Sequence, residues 1–244
     1  RGFPLGTIEG GRIDLAVLAG RDLAPLGLVG SEGGEAREGS ASLSVQPGVL
    51  QRSHAAELRI LEQGDVPAAL TAVITFIAAA RSSVPGLDGD VAAELAVDVA
   101  AEDGPITIFE VRELDGRSFL VAAGEGVVAG GVARTPVALR SSVLWVLGRL
   151  PQDIAFARGT ARRGSEPASG VVVTADGTAI ADLSAADGGF SLPIPPGDRS
   201  IQAIDPATGE RAGAGISAAP GQTITIDLVL APALPRIARV TPAD

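Results

Sequence analysis

The sequence predicts an all-β protein made of tandem β-sandwich domains with little helix. Its 32 glycines and 17 prolines are spread along 244 residues without a fixed period, which indicates many turns and few long helices. Hydrophobic residues make up 46% of the chain and aromatic residues only 3%, so the core is expected to consist of Val, Leu, Ile and Ala. Short runs of alternating apolar residues are separated by turn signals, most clearly over Pro167–Ala203.

The first part of the chain contains a series of strand candidates. They are Arg12–Leu18, Ser40–Val45, Ala55–Leu61, Ala92–Val99, Ile106–Glu113, Ser118–Ala122, Val127–Ala133 and Val137–Leu150. The acidic, glycine-rich segment Ser31–Gly39 predicts an exposed loop. Leu114-Asp115-Gly116-Arg117 predicts a tight hairpin, because Asp-Gly supplies the positive φ angles that two-residue turns need.

The apolar segment Ala68–Ala80 fits two interpretations. Its alanines suit a helix, whereas the β-branched and aromatic cluster Val73–Ile77 favours a buried strand. Periodicity does not separate the two in a continuous apolar run, and the strand is the preferred interpretation. With 13 residues, the segment is too short to span a membrane.

The pattern changes near Pro151 and divides the chain. We expect an N-terminal β-sandwich region over residues 1–152, either one domain or two subdomains, and a second sandwich over residues 153–231. Residues 232–244 are expected to form a proline-stiffened linker followed by a leftover strand, Arg236–Val240. The chain as given contains no Met, which predicts a processed product or a piece of a longer protein.

The turns of the second region follow a recognisable order. Pro167-Ala168-Ser169-Gly170 leads into a strand, Asp187-Gly188-Gly189-Phe190 precedes another, and Pro195-Pro196-Gly197 makes the next reversal. In this order, residues 160–230 resemble the carboxypeptidase regulatory-like domain, a small transthyretin-like β-sandwich. Asp198-Arg199-Ser200 departs from the family, which usually has an aromatic residue soon after the glycine. The resemblance implies a stalk, spacer or adhesion module without catalysis of its own.

Two shorter segments carry weaker resemblances to surface proteins. Ser42–Leu61 looks like the core of ZU5-like domains, with a strand, a Pro-Gly turn and a second strand. Pro235–Asp244 is similar to the opening strand of bacterial Ig-like repeats. Both imply a bacterial cell-surface setting, which agrees with the GC-rich codon usage indicated by abundant Ala, Gly, Arg and Pro without Lys or Asn.

Charge and composition argue against several function classes. A net charge of −10 and a pI of about 4.6 disfavour binding to nucleic acid or to anionic lipid. One Trp, six Phe and no Tyr fit poorly with the aromatic-lined sugar site of a glycoside hydrolase. His54 is the only histidine and no G-x-S-x-G elbow is present, so a surface histidine is expected there and no enzyme.

Calcium is the one metal that the acidic loops could hold. Asp88, Asp90 and Asp98 are the candidate oxygen ligands, with Glu102-Asp103 nearby in sequence. The ligand spacing of an EF-hand is absent. Acidic turns on an acidic surface are the preferred interpretation, so no cofactor is expected beyond a structural calcium ion.

The leftover strand is the most specific interaction candidate. Arg236, Ile237, Ala238, Arg239 and Val240 follow a stiff linker, so this strand could pair with a sheet edge of another chain. The N-terminal strand Arg12–Leu18 could play the same part. Head-to-tail contacts of this kind make open filaments when the rotation does not close. The alternative is that the tail begins the next domain of a longer polypeptide.

Together these observations predict a non-catalytic structural or interaction module of a bacterial extracellular surface assembly, either a stalk repeat or a filament subunit. Its expected partners are other copies of itself or neighbouring domains. An adhesion module that binds a glycan or a protein ligand is the alternative. An accessory domain of a secreted hydrolase is a lesser one.

Overall fold

The computed structural model describes residues 27–232 apart from residue 115, and it confirms the all-β class. Within these residues there are nineteen β-strands, one 3-10 turn at Gln63–Asp65 and one helical turn at Ala68–Thr71. The chain divides into two compact units, Arg1–Gln152 and Asp153–Asp244, each with its own buried core.

Ten antiparallel strands in unit 1 form one closed sheet. They are β1 (Gly27–Gly30), β2 (Gly33–Glu38), β3 (Ala41–Val45), β4 (His54–Leu61), β5 (Thr75–Ser83), β6 (Val91–Asp98), β7 (Gly104–Leu114), β8 (Arg117–Ala129), β9 (Val132–Leu139) and β10 (Ser142–Arg149). Their order is β8-β7-β10-β5-β4-β1-β2-β3-β6-β9, and β9 pairs back onto β8. Each of the ten strands therefore has a neighbour on both sides.

Closure depends on the two longest strands. The hairpin of β7 and β8 is paired as far as Leu114 opposite Arg117, and Gly116 has a φ of 72°, as the sequence predicts for this turn. A bulge between Ile108 and Phe109 bends the hairpin, since an extra residue on one strand increases its local twist. The end of β8 then pairs with β9. The expected two-sheet sandwich is thus replaced by a single closed sheet.

The inside of the closed sheet is filled mainly by aliphatic side chains around the single tryptophan. Trp145 on β10 is 1% exposed, and its indole N–H donates to the hydroxyl of Ser82 on β5 at 3.0 Å. On the outer side, Ile74 packs against Gly148, where a Cβ would lie 2.6 Å from the Ile74 Cδ1. The segment that follows β4 therefore covers part of the sheet from outside.

Two sequence expectations for unit 1 need correction. Ala68–Ala80 is neither one strand nor one helix: α1 (Ala68–Thr71) is a single turn that buries Leu70, and β5 begins at Thr75. The expected loop Ser31–Gly39 contains β2, which pairs with both β1 and β3. The sequence of β2, Gly-Gly-Glu-Ala-Arg-Glu, lacks the usual apolar alternation, and Ala36 is the only side chain of this strand that is fully buried.

Unit 2 contains two sheets. Its strands are β11 (Ala155–Arg163), β12 (Glu166–Pro167), β13 (Val172–Ala175), β14 (Ile180–Leu183), β15 (Gly189–Ile194), β16 (Gly197–Ile204), β17 (Arg211–Ala218), β18 (Thr223–Thr225) and β19 (Leu228–Leu230). One sheet has the order β14-β13-β16-β17. In the other, β11 has β15 and β12 as antiparallel neighbours and β18 and β19 as parallel neighbours. Alternate side chains of both sheets are buried, as in a sandwich.

The turns that the sequence singled out position the strands of unit 2. Gly188 has a φ of 76°, and a Cβ there would lie 2.5 Å from the carbonyl oxygen of Ala161. Phe190, two residues later, is buried in β15. The buried Ser184 donates to the Ala168 carbonyl at 2.6 Å and accepts from the Val171 amide at 2.9 Å. These contacts fix the entry into β13.

The final strands are tied to β11 at one close approach. Between β18 and β19, Ile226 passes over Gly159, and a Cβ at Gly159 would overlap the Ile226 carbonyl oxygen. The Ile226 amide donates to the Arg158 carbonyl at 2.8 Å, and the Asp227 carboxylate accepts from the Thr160 hydroxyl at 2.6 Å. Only glycine fits at residue 159.

Candidate interaction surface

Among the described strands, β17 is the last of its sheet, and after Arg211 it carries no charged side chain. After Arg211 its sequence is Ala-Gly-Ala-Gly-Ile-Ser-Ala, and it pairs with β16 along its whole length. Alternate residues face opposite sides of the sheet. We call Ala212, Ala214 and Ile216 the inner row, since two of their partners, Ile201 and Ala203, are fully buried. The outer row is Gly213, Gly215 and Ser217.

A single bridge fixes the direction of the backbone groups of β17. The Arg211 amide donates to the Ala231 carbonyl at 2.9 Å, and the Ala231 amide donates back at 2.9 Å. Both groups of Arg211 therefore point away from β16. Because direction alternates along a strand, the N–H and C=O groups of the outer row also point away from β16. Among the described residues these outer-row groups have no hydrogen-bond partner.

The inner row is only partly covered. All three of its side chains are half-buried, although their neighbours on β16 belong to the core. An added strand with apolar side chains on this face would extend the core by one layer and remove apolar surface from water. The edge of β17 thus offers both unpaired backbone groups and partly exposed apolar side chains.

Strand β15, at an edge of the other sheet, has no free outward amide. The Gly189 amide donates to the Asp187 carboxylate at 2.9 Å, and the Ser191 amide donates to the Asp182 carboxylate at 2.5 Å. Pro193, two residues further, has no N–H. Capped amides and proline are the means by which proteins prevent edge-to-edge pairing. None of these devices is present between Ala212 and Ala218.

The cap on β15 has an electrostatic cost. Burial raises the pKa of Asp182 above its usual value, and the hydrogen bonds from the Ser191 and Leu183 amides oppose this shift without cancelling it. A half-buried carboxylate has thus been placed where it blocks an edge. No comparable cap lies along β17 after Arg211 among the described residues.

The candidate calcium ligands are not brought together. Asp90 precedes β6 and Asp98 ends it, so about 26 Å of extended strand separates them. Asp88 is exposed in the preceding loop, and Asp103 accepts a hydrogen bond from the Gly130 amide at 2.9 Å. Between residues 27 and 232, leaving out 115, no three His, Cys, Asp or Glu side chains are grouped as a metal site requires.

Asp90 belongs to a chain of ion pairs. Arg140 donates to its two carboxylate oxygens at 2.6 and 3.0 Å, and also to Glu110 on β7 at 2.8 and 2.9 Å. Glu110 accepts from Arg112 at 2.6 Å as well. The hydrogen bond from Arg140 lowers the pKa of Asp90. This bidentate pair occupies the oxygens that calcium would need.

The remaining candidates have ordinary surroundings or fall outside the description. His54 begins β4 and is partly exposed, and its Nδ1 lies 3.4 Å from the Pro85 carbonyl oxygen. The strand candidates Arg12–Leu18 and Arg236–Val240 lie outside the described residues. No helix in the described part of the chain is long and apolar enough to cross a membrane.

Sequence reasoning missed the edge of β17. Arg211–Ala218 lies inside the region that resembles a known sandwich, but its alternation of alanine and glycine gave no strong strand signal. A run of alternating small residues between Thr208-Gly209 and Pro220-Gly221 is the signal that marks it.

No protein-family model matches this chain, and no curated protein matches it. Among solved structures, two crystal structures of BcpA, the major pilin subunit of Bacillus cereus, are similar at 8% sequence identity. The first, a single-residue variant, has a TM-score of 0.24, and the alignment covers 81% of this chain and 79% of BcpA. The second has a TM-score of 0.23 with 78% of each chain covered. Similarity at this level identifies neither a family nor a function.

Proposed function

We propose that this chain is a non-catalytic structural module of a bacterial extracellular surface assembly, and that its contact with the next module is a β-strand added to β17. The observation that carries this proposal is the contrast between the two edges of unit 2. No outward amide of β15 is free, whereas the outer row of β17 presents three N–H and three C=O groups without partners among the described residues.

Strand addition is a general mode of protein association that fits such an edge. The main-chain hydrogen bonds of the added strand supply affinity, and side chains on one face supply specificity. Each such hydrogen bond stabilises a contact by about 0.5–1.5 kcal/mol net. An edge and a donor strand on the same chain form a heterologous contact, which builds a filament when it does not close.

The resemblance of residues 160–230 to the carboxypeptidase regulatory-like domain supports the same proposal. The glycine turn at Gly188, the buried Phe190 and the two-sheet arrangement of unit 2 agree with that family's sandwich. Under this proposal unit 2 serves as a spacer or linkage domain, and the protein lies outside the cell.

The test is the association state of the purified chain and of a variant that blocks the edge. Gly215→Pro removes one outward N–H, which β16 does not use, and places a ring where the added strand would lie. Gly215→Ala is the matched control, because a Cβ at Gly215 meets nothing within 4 Å and the N–H is kept.

We expect wild type and Gly215→Ala to form oligomers or fibres in sedimentation and negative-stain microscopy, and Gly215→Pro to remain monomeric with an unchanged circular dichroism spectrum. A wild-type chain that stays monomeric up to millimolar concentration would overturn the proposal. So would a Gly215→Pro variant that assembles normally.

A second function, adhesion, is favoured by one surface feature of unit 1. A polar depression of about 330 Å³ lies over β2, β3, β6 and β9, with Arg37, Ser42, Asp98 and Arg134 in its lining. Charged and hydroxyl groups around a shallow surface can donate and accept hydrogen bonds to a glycan, and both arginines are held by carboxylates, Arg37 by Glu35 and Arg134 by Glu94. Binding on a glycan array that is lost in Arg134→Ala, and kept in Arg140→Ala outside the depression, would support this alternative.

A further inference from the structure

We propose that the strand which fills the edge of β17 is Arg12–Leu18 of a second copy of this chain, lying antiparallel to β17. This inference rests on the proposed function and names the partner of the same edge. Arg12–Leu18 precedes the described residues, and the inference uses its sequence together with the geometry of β17.

The alternating apolar pattern of Arg12–Leu18 matches that of β17. Ile13, Leu15 and Val17 share one face of an extended Arg12–Leu18, and Arg12, Asp14 and Ala16 occupy the other. Placed beside β17, the apolar face covers the half-buried inner row. The lengths agree over six residues: with Leu15 opposite Ala214, an antiparallel Arg12–Val17 lies beside Ala212–Ser217, and Leu18 falls beyond them because Arg211 is already bridged to Ala231.

Charge selects the antiparallel direction of the added strand. With Leu15 opposite Ala214, an antiparallel strand places Arg12 beside Ser217, whose partner on β16 is the exposed Asp198. A parallel strand would instead bring Arg12 beside Arg211. Like charges directly opposite each other on neighbouring strands are unfavourable, so the antiparallel register, which does not pair Arg12 with Arg211, is the better one.

Arg12–Leu18 needs a sheet edge in order to pair as a strand. It precedes β1, the first described strand of unit 1, by eight residues (19–26), which span up to about 28 Å. The ten strands of unit 1 form a closed sheet, and β1 itself pairs with both β2 and β4. The described part of unit 1 therefore offers this segment no free edge to extend.

The C-terminal candidate fits the same edge less well. In Arg236–Val240 the two faces are Arg236, Ala238 and Val240 on one side, and Ile237 and Arg239 on the other. Either orientation directs an arginine towards the inner row. Burying an unpaired guanidinium beside the core costs more than the apolar contacts gain. We therefore favour Arg12–Leu18 over Arg236–Val240 as the strand that pairs with β17.

Disulfide cross-linking tests the partner and its direction, because the chain contains no cysteine of its own. Two chains of different tag length are mixed and oxidised, one carrying Ile13→Cys and the other Ile216→Cys. The antiparallel register places these residues opposite each other, within the Cα separation that a disulfide needs. Val17→Cys mixed with Ile216→Cys is the matched control, because those positions meet only in a parallel register.

We expect the mixture of Ile13→Cys and Ile216→Cys chains to give at least tenfold more disulfide-linked heterodimer than the control mixture. A synthetic peptide of residues 10–20 should inhibit assembly of the wild-type chain, and the same peptide with Leu15→Asp should not. One outcome is that wild type assembles and Gly215→Pro blocks assembly, while the first mixture gives no excess heterodimer. That result keeps β17 as the assembly contact and overturns Arg12–Leu18 as the strand that pairs with it. A double variant with Ile13→Cys and Ile216→Cys in one chain provides a further check. If its disulfide forms mainly within one molecule, the proposal is overturned, because the strand beside β17 then comes from the same copy. Failure of wild type to assemble overturns both proposals.

Discussion

At the scale of single residues, Gly159 is the position at which unit 2 tolerates change least. Its missing Cβ leaves room for the Ile226 backbone, which ties β18 and β19 to β11. We expect Gly159→Ala to destabilise the protein by about 3 kcal/mol or more, because backbone must move to relieve the overlap. Urea denaturation followed by circular dichroism measures this. Gly215→Ala is the control and should stay within about 0.5 kcal/mol of wild type; equal midpoints for the two variants would contradict the close approach.

Asp205 links stability to acid pH. Burial alone raises the pKa of Asp205, but hydrogen bonds from the Ala207 and Thr208 amides, together with the charge of Arg163, bring it below the usual value of 3.8. A carboxyl group whose pKa is lower in the folded state adds stability above its unfolded pKa. That stability is lost as the pH falls from the unfolded pKa through the folded one.

The corresponding prediction concerns the slope of stability against pH. Wild type should lose more unfolding free energy than Asp205→Asn when the pH is lowered from 5 to 2, because the amide does not titrate. Denaturant titrations at each pH measure the difference between the two curves. Asp198→Asn changes the same formal charge at an exposed position and is the control. Parallel curves for wild type and Asp205→Asn would show that Asp205 has no such role.

At the scale of strands, the two edges of unit 2 should differ in amide exchange. In the monomeric Gly215→Pro variant, the amides of Gly213 and Ser217 point outward and should exchange rapidly with solvent. The amides of Ala212, Ala214 and Ile216 bond to β16 and should exchange at least a hundredfold more slowly. The Ser191 amide should also be slow, since Asp182 caps it. Uniform protection along β17 would mean that the edge is covered within the monomer.

Turn chemistry made part of unit 2 predictable from sequence. Gly188 must adopt a positive φ beside the Ala161 carbonyl, and Phe190 enters the next strand, so Asp-Gly-Gly-Phe indicates a turn and a buried anchor on local grounds. The Asp-Gly hairpin before Arg117 was predictable for the same reason. In both cases the information lies within a few consecutive residues.

The remaining features depend on contacts between distant residues. β2 was missed because Ala36 is its only fully buried residue, and it becomes a strand through its two neighbours. Closure of unit 1 requires β9, which forms a local hairpin with β8, to pair also with β6, a strand more than thirty residues earlier in the sequence. The outward direction of the outer row depends on the bridge between Arg211 and Ala231, twenty residues apart. Periodicity along the chain contains none of this long-range pairing.

At the scale of the whole molecule, net charge opposes self-association. Each copy carries a formal charge of −10 at pH 7, so approaching copies repel one another over roughly a Debye length, about 30 Å in 10 mM salt and 10 Å in 100 mM. The proposed contact is built from backbone hydrogen bonds and apolar side chains, with one arginine near one aspartate. Salt therefore screens a large repulsion and only a small attraction.

We therefore expect the association constant to rise when NaCl is increased from 10 to 300 mM, and to rise further as the pH approaches the pI of about 4.6. Sedimentation velocity at fixed protein concentration measures both trends, and Gly215→Pro shows whether salt acts through β17 or through nonspecific precipitation. An assembly held by complementary charged surfaces would respond in the opposite way, because screening would weaken it. Dissociation of wild-type oligomers by salt would therefore count against β17 as the joint, whatever the appearance of the fibres.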